Sequence, residues 1–466
     1  MTKEYDVAII GGGTGGYVAA IRASQLGLKA AVVEKEKLGG TCLHAGCIPS
    51  KALLRSAEVY TNTKNGMAFG VVAPKVELDF SKVQERKEGI TNQLYKGVQH
   101  LMKKGKIDVY EGKGKISDSS NVLVTMKNEE ETITLHACHI LIATGSRPST
   151  LPGLEVDGTH VMTSDEALQM DQLPESIMIV GGGVIGIEWA SMLVDFGLKV
   201  TLLEYAERIL PTEDKDISRE VQRLMKKKGV KIVTGAKVLP ETLERDNGVS
   251  IKTEHKGKEK SFSADKLLVS VGRHPNIADI GLDQTTINVN RNTIQTNEYY
   301  QTNDSTIYAI GDVIGGLQLA HVASHEGIIA IEHMAGKNPS PLDPTRVSKC
   351  VYSSPEVASV GLTEEEAKSK GYQVKLGKFA FRAVGKALVF GDSNGFVKFV
   401  VEEKSKKLLG VHMVGPNVTD MITEAGLALV LNSTSMDIAG TIHPHPTLAE
   451  AIGEAALAVD GNEIHA

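Results

Sequence analysis

The sequence predicts an α/β protein with two parallel-sheet units of one design and a smaller α+β part at its C-terminal end. Three observations predict it. Residues 5–34, YDVAIIGGGTGGYVAAIRASQLGLKAAVVE, lie without a gap on residues 175–204, ESIMIVGGGVIGIEWASMLVDFGLKVTLLE. Apolar runs ending in glycine recur at 139–148 (HILIATGSRP) and 266–275 (KLLVSVGRHP). Beyond residue 346 the pattern changes: 395–415 alternates like a hairpin around a charged turn, and an apolar helical stretch follows from Val418 to Leu431.

Each copy of the repeat reads as a buried strand, a Gly-rich turn, an amphipathic helix and a second strand that ends in an acid. This is the Rossmann-like βαβ unit that binds dinucleotides. Gly11, Gly13 and Gly16 fall on Gly181, Gly183 and Gly186, and Glu34 falls on Glu204. The first glycine makes the tight turn, the second lets a pyrophosphate reach the backbone, and the third lets helix and strand pack closely. The phosphates then meet the helix N-terminus, where N–H groups and the dipole favour anions. The closing acid accepts hydrogen bonds from a ribose diol. A 2′-phosphate would be repelled by Glu204 and would call for arginines, so the second unit is expected to take NAD rather than NADP, although Arg208 lies four residues on. The runs at 139–148 and 266–275 each close one unit. NDSTIYAIGD (303–312) adds a further strand with Asp312 at its carboxyl end, where ligands bind in open α/β sheets.

The bulk composition fits this reading. The chain has 466 residues, 41% hydrophobic and 23% charged, with a net charge of −6. That balance gives no electrostatic case for nucleic acid or an anionic membrane. Lys226–Lys228 reads as a short solvated helix face. The N-terminus shows no secretory pattern and no run is long enough to span a bilayer, so a soluble cytoplasmic chain is expected. Four cysteines make no disulfide framework. In that compartment a disulfide that forms tends to be catalytic or regulatory.

Two of the four, Cys42 and Cys47, stand in GGTCLHAGCIPSKALL (39–54). Only His44 is near enough to join them at a metal, so no metal site is expected. In a regular helix, residues five apart are separated by about 7.5 Å of rise alone. A disulfide wants its Cα atoms within about 7 Å. Bridging the pair therefore requires a break in the helix, which Gly46 and Pro49 permit. A helix starting near Pro49 would aim its positive end at Cys47, and Lys51 would lie on the same side; the plainer reading of Lys51 is a surface lysine. A thiol pair beside two nucleotide units calls for a flavin to mediate between sulfur and nicotinamide. FAD in the first unit and NAD in the second is the economical assignment, since the pair begins only eight positions after Glu34. Cys138 and Cys350 read as buried, inert thiols.

The cysteine motif, together with GGGVIGIE (181–188), YAIGDV (308–313), LAH (319–321) and HPTLAE (445–450), resembles the pyridine nucleotide–disulfide oxidoreductases of class I over essentially the whole chain. The resemblance implies an FAD-binding domain at 1–150, an NAD-binding domain at 151–275, a central segment at 276–345 that completes the FAD site, and a dimerisation domain at 346–466. It implies that Cys42 exchanges with a substrate dithiol while Cys47 lies against the flavin, and that Lys51 pairs with Glu188. Gly11, Gly13, Gly16, Glu34, Gly40, Thr41, Lys51, Gly114, Thr144, Gly145, Ser146, Asp312, Leu319, Ala320 and His321 would meet FAD. Gly181, Gly183, Gly186, Glu188, Glu204, Val238 and Gly272 would meet NAD.

The same resemblance makes His445 the base, oriented by Glu450 and lent across a homodimer. Thr447 to Glu450 also reads as a capping box, and His443 as a packed loop histidine. The implied reaction is oxidation of dihydrolipoamide, carried on the lipoyl domain of an acyltransferase or similar protein, with NAD+ as acceptor. Glutathione reductase relatives should carry arginines where Glu204 stands, and mercuric reductases need a further C-terminal redox pair that is missing after Cys350. A purely structural flavin-loaded subunit should have lost one of the chemical residues. His44, Ala45 and Leu317 depart from the family's commonest pattern and bear on the substrate arm.

Overall fold

The computed structural model describes residues 2–127 and 131–465. The chain divides into two compact units. One comprises Met1–Ala52, Ser81–Ser149 and Arg273–Leu342, and the other Leu53–Phe80, Thr150–Gly272 and Asp343–Ala466.

In the first unit five strands run parallel in the order Asp108–Asp118, Ala30–Glu34, Thr2–Ile10, Thr132–Ile142, Ile307–Ala309. The antiparallel strand Asn121–Met126 joins the first and fourth of them. Ala30–Glu34 is buried at every position, as expected of a parallel strand covered on both faces. Helix Thr14–Gln25 buries its small residues Gly15, Gly16, Ala19, Ala20 and Ala23. Helix Ala320–Met334 packs along it, and an added Cβ on Gly327 would stand 2.8 Å from the Gly15 carbonyl.

The second unit repeats that sheet in the order Lys231–Val233, Lys199–Leu203, Ser176–Val180, Lys266–Val269, Val161–Met162, all parallel. A three-stranded antiparallel meander runs from Lys237 to Ala264. The same unit holds an antiparallel sheet in the order Lys349–Val351, Glu356–Gly361, Leu408–Gly415, Phe396–Glu402, Val374–Ala380. Helices Val418–Val430 and Glu450–Ala458 cover it around a core that includes Phe379, Phe399, Met413, Ile422 and Ile452. The predicted hairpin is therefore present. However, Leu408–Gly415 is buried at all eight positions, so the strand is covered on both faces instead of half-solvated.

Two readings of the sequence are corrected. Cys138 is exposed, because it falls on the outward phase of Thr132–Ile142 between buried Ala137 and Ile140. Lys228 is no free surface charge: its ammonium donates to the Asp195 carboxylate at 2.7 Å and to the Ser354 carbonyl at 3.1 Å. Lys226 and Lys227 are exposed on the last turn of Lys215–Lys227, as a solvated face requires.

Within the second unit, Lys398 is 2% exposed and donates to Asp214 (2.9 Å), Asp216 (3.2 Å) and Glu364 (2.8 Å). Burial opposes its charge, yet Glu364 and Asp214 hold its pKa above the ordinary lysine value. Asp214 also caps Lys215–Lys227, accepting from the Asp216 N–H at 2.9 Å. Removing one member of a buried ion group strands the others. Lys398→Ala is therefore expected to cost about 3–5 kcal/mol. Removing the half-exposed Lys378, which reaches Asp216 from outside at 3.5 Å, should cost at most about 1 kcal/mol. Thermal unfolding of the FAD-loaded protein separates the two.

Candidate active site

The two Gly-rich turns have the same stereochemistry. Gly11 and Gly181 stand at φ +107° and +109°, and an added Cβ would lie 2.3 Å from the carbonyls of Ala143 and Ser270. At Gly16 and Gly186 an added Cβ would lie 1.9 Å from the carbonyls of Gly11 and Gly181, which only glycine permits. At the middle positions, Gly13 and Gly183, nothing stands within 4 Å of where a Cβ would be. Helices Thr14–Gln25 and Val184–Asp195 start there without a side-chain cap. Their first N–H groups thus open onto space shaped for an anion. The closing acids also match. Glu34 accepts from the N–H groups of Gly12 (2.7 Å) and Glu36 (2.8 Å), and Glu204 from those of Gly182 and Ala206. Both acids are buried and fixed, each oxygen keeping capacity for a further donor. The residues fit a dinucleotide at each loop.

The thiol pair is built directly onto the first loop. Gly39 donates its N–H to the Gly12 carbonyl at 2.8 Å, and a Cβ on Gly40 would stand 2.7 Å from the Gly13 α carbon. The short helix Gly40–His44 ends at Ala45, and Cys47–Lys64 begins two residues later. This is the break that an approach of Cys42 and Cys47 requires. Cys42 and Cys47 are hydrogen-bonded neighbours, both half-buried. That bond, and then burial, push the Cys42 thiol well above its ordinary pKa, while the Lys51 ammonium pulls the other way. Lys51 is thus close enough to act on the pair through its charge. His44 is tied to the Leu38 carbonyl at 2.8 Å and packs edge-on against Tyr95.

Beside the first loop, Ser146 donates to Asp312, and Arg273 donates to the Ser146 hydroxyl at 2.7 Å and carbonyl at 2.9 Å. Asn276 holds the turn at 144–146: its N–H reaches the Gly145 carbonyl, its amide the Thr144 carbonyl, and its own carbonyl takes the Thr144 hydroxyl. Leu319 is the N-cap of Ala320–Met334, so Ala320 and His321 lie on its first turn. On the same helix Glu326 is buried and accepts from the Gly311 N–H at 2.6 Å. Burial, with Asp312 nearby, raises its pKa to about 7. Arg273, Asn276 and Glu326 carry no motif of their own. Gly114 packs flat on Ile10 and Val33, with a Cβ clearance of 3.2 Å to each, and Thr41 is exposed.

In the second unit Glu188 is buried on Val184–Asp195 and accepts from the Tyr352 N–H at 2.9 Å. Gly272 (φ +113°) has open space at its Cβ position, whereas Val238 packs against the apolar core of the sheet. The imidazole Nδ1 of His445 lies 2.8 Å from Glu450 Oε1. A carboxylate can only accept, so Nδ1 carries the proton and Nε2 of the neutral ring keeps its lone pair. The His445 side chain is 78% exposed. Burial works against the Glu450 charge, but His445 and the Thr447 N–H hold its carboxyl below the usual range. Only half of the expected capping box is present. Glu450 reaches back to the Thr447 N–H at 2.8 Å, while the Thr447 hydroxyl donates to the Pro444 carbonyl instead. His443 is buried against Gly453 and paired with Glu424 at 2.9 Å.

A thiol pair seated on one of two nucleotide loops is the makeup of an oxidoreductase that acts on sulfur. The chain belongs to the pyridine nucleotide-disulphide oxidoreductase family, whose model matches residues 5–327 and whose dimerisation-domain model matches residues 347–456. It is similar to the dihydrolipoyl dehydrogenase of Bacillus subtilis (strain 168), 64% identical over 473 residues with 100% of each chain covered. The mitochondrial dihydrolipoyl dehydrogenase of Pisum sativum is 41% identical, covering 100% of this chain and 93% of its own. Among solved structures, LpdA from Mycobacterium tuberculosis superposes with a TM-score of 0.90 at 25% identity, covering 97% of this chain and 98% of its own. The HOCl-induced flavoprotein disulfide reductase RclA from Escherichia coli gives 0.84 at 28% identity, covering 96% and 98%. The family uses FAD and NAD, and these are this chain's cofactors. Among the described residues no helix is long and apolar enough to cross a membrane.

Two measurements probe the site. Gly183→Ala puts a methyl into open space at φ −74°, so fold and FAD content should persist while NAD+ binding by calorimetry weakens about 10-fold, or ~1.4 kcal/mol. Gly186→Ala collides with the Gly181 carbonyl and should destabilise by about 3 kcal/mol.

The second measurement concerns Glu326. Between its ordinary value of 4.5 and about 7 the folded state keeps a proton that the unfolded chain has released, so stability falls as pH rises through that window. Glu326→Gln retains an acceptor for Gly311 and cannot titrate. Its melting temperature should gain on the parent's between about pH 4 and about pH 8, which bracket the window.

Proposed function

We propose that this protein oxidises dihydrolipoamide, carried on the lipoyl domain of a dihydrolipoyl acyltransferase or similar lipoylated protein, with NAD+ as acceptor. The observation that carries the reading is the Cys42–Cys47 pair seated on the first nucleotide loop, with Gly40 resting on the Gly13 backbone. Full-length similarity to dihydrolipoyl dehydrogenases supports the choice of substrate. The division into 1–150 for FAD, 151–275 for NAD, 276–345 completing the FAD site and 346–466 for dimerisation belongs to the same reading. So do a homodimer and a cytoplasmic location.

In the oxidised enzyme Cys42 and Cys47 are joined. One thiol of the substrate releases its proton to solvent and attacks the Cys42 sulfur as a thiolate, the S–S bond breaks, and Cys47 leaves as a thiolate. His445 Nε2 takes the proton of the second substrate thiol. That sulfur then closes on the first, releasing Cys42 and a cyclic disulfide. Glu450 keeps the ring in the Nδ1–H tautomer and stabilises the imidazolium formed. Cys42 is reprotonated by it, in line with its raised pKa. FAD, when bound, supplies passage of the electron pair from the dithiol to NAD+. Gly11, Gly13, Gly16, Glu34, Ser146 and Asp312 would hold FAD, and Gly181, Gly183, Gly186 and Glu204 would hold NAD. Lys51 would balance the negative charge on the reduced pair.

The FAD-loaded protein should form NADH from dihydrolipoamide and NAD+ under anaerobic conditions. Reduction of glutathione disulfide by NADPH, with no NADH formed from dihydrolipoamide, would overturn the assignment. His445→Gln should keep flavin content and dimer mass while kcat falls about 10²–10⁴-fold. Undiminished turnover in that variant removes the base.

A further inference from the structure

The loop after the second acid, Tyr205–Asp214, contains one arginine. Arg208 stands four residues beyond Glu204, in the stretch where an enzyme that takes a 2′-phosphorylated nucleotide places its cations. The loop backbone is fixed. Ala206 donates its N–H to Glu204, Leu210 donates to the Gly182 carbonyl at 2.8 Å, and the Ser218 hydroxyl donates to the Ile209 carbonyl. A Cβ on Gly182 would sit 3.1 Å from the Ile209 side chain, so the residue next to Arg208 lies against the dinucleotide turn itself. The Arg208 guanidinium is committed elsewhere. Its Nη2 donates to the carbonyls of Pro211 (3.0 Å) and Glu213 (3.4 Å) and to Glu365 Oε2 (3.0 Å). Glu365 comes from the first turn of Glu364–Ser369, a helix anchored by a full capping box on Thr363.

We propose that Glu365 is a specificity-determining residue: by holding Arg208 against its own loop, it withholds the one guanidinium of that loop from a 2′-phosphate. The inference rests on the reading of Glu204 as the ribose-binding acid. Discrimination against NADP then has two parts. Glu204 repels the phosphate, and the Glu365 clamp removes the cation that would compensate. The pair is a poor candidate for a stability element, since the Glu365 side chain is 54% exposed and such bridges contribute ~0–1 kcal/mol. A guanidinium released beside the dinucleotide turn would instead offer a two-pronged contact to a phosphate.

The test uses FAD-loaded protein and calorimetric titration with NADP+ and NAD+ for the parent, Glu365→Ala, Arg208→Ala and the double variant. Glu365→Ala is expected to tighten NADP+ about 5–10-fold while NAD+ stays within about twofold, a coupling of the size that contacting residues show. In the double variant the gain should vanish. No gain in Glu365→Ala, or an equal gain without Arg208, overturns the proposal; the latter means that Glu365 acts only through its own charge. Glu204→Ala tests the underlying reading separately. If it leaves both affinities unchanged, the acid does not face the ribose, and the fault lies there and not in the clamp.

Discussion

The nucleotide loops depend on one contact, the carbonyl of the first glycine lying against the α carbon of the third. With Cβ positions only 1.9 Å from that oxygen at Gly16 and Gly186, any side chain would drive the helix off the strand. The close approach fixes where the helix N-terminus points, and hence where an anion is favoured. It also brings the intervening N–H groups, Gly12 and Gly182, onto the carboxylates of Glu34 and Glu204. Two backbone donors fill part of the hydrogen-bonding demand of those buried acids. One steric requirement therefore determines the direction of the helix N-terminus and the seat of the acid together.

The thiol pair inherits the same constraint. Gly40 rests on Gly13, so the position of Cys42 is set by the loop and not by its own short helix. The break after His44 turns two residues that a continuous helix would separate into hydrogen-bonded neighbours. The hydrogen bond to Cys47, and then burial, raise the Cys42 pKa against the pull of the lysine close by.

What was legible in the sequence is what is local. A βαβ unit is specified within thirty residues, so its glycines, closing acid and strands could be read by laying one copy on the other. The closing strands and the late hairpin were legible from apolar runs. Arg273, Asn276 and Glu326 were not, because they act on residues distant in the chain; Arg273 meets Ser146 across 127 positions. Lys398 has no local signal either: three carboxylates from two other segments surround it. Cys138 stands in an apolar context that suggests burial, but the alternation of its strand turns it outward.

The two copies differ in what they build from an identical anchor. After each acid the chain turns back and donates an N–H to the carbonyl of the same loop position: Gly39 to Gly12 in the first copy, Leu210 to Gly182 in the second, both at 2.8 Å. In the first copy the residue beyond the anchor is Gly40, which lies on the Gly13 backbone, and Thr41 and Cys42 follow it. In the second, the residue two places before the anchor is Arg208, and those beyond it supply the Pro211 and Glu213 carbonyls that bind it. The same turn thus carries a thiol pair in one copy and a clamped arginine in the other, according to a few residues that follow it. Sequence distance from the acid, more than the glycine motif itself, is where the two sites acquire their separate chemistry.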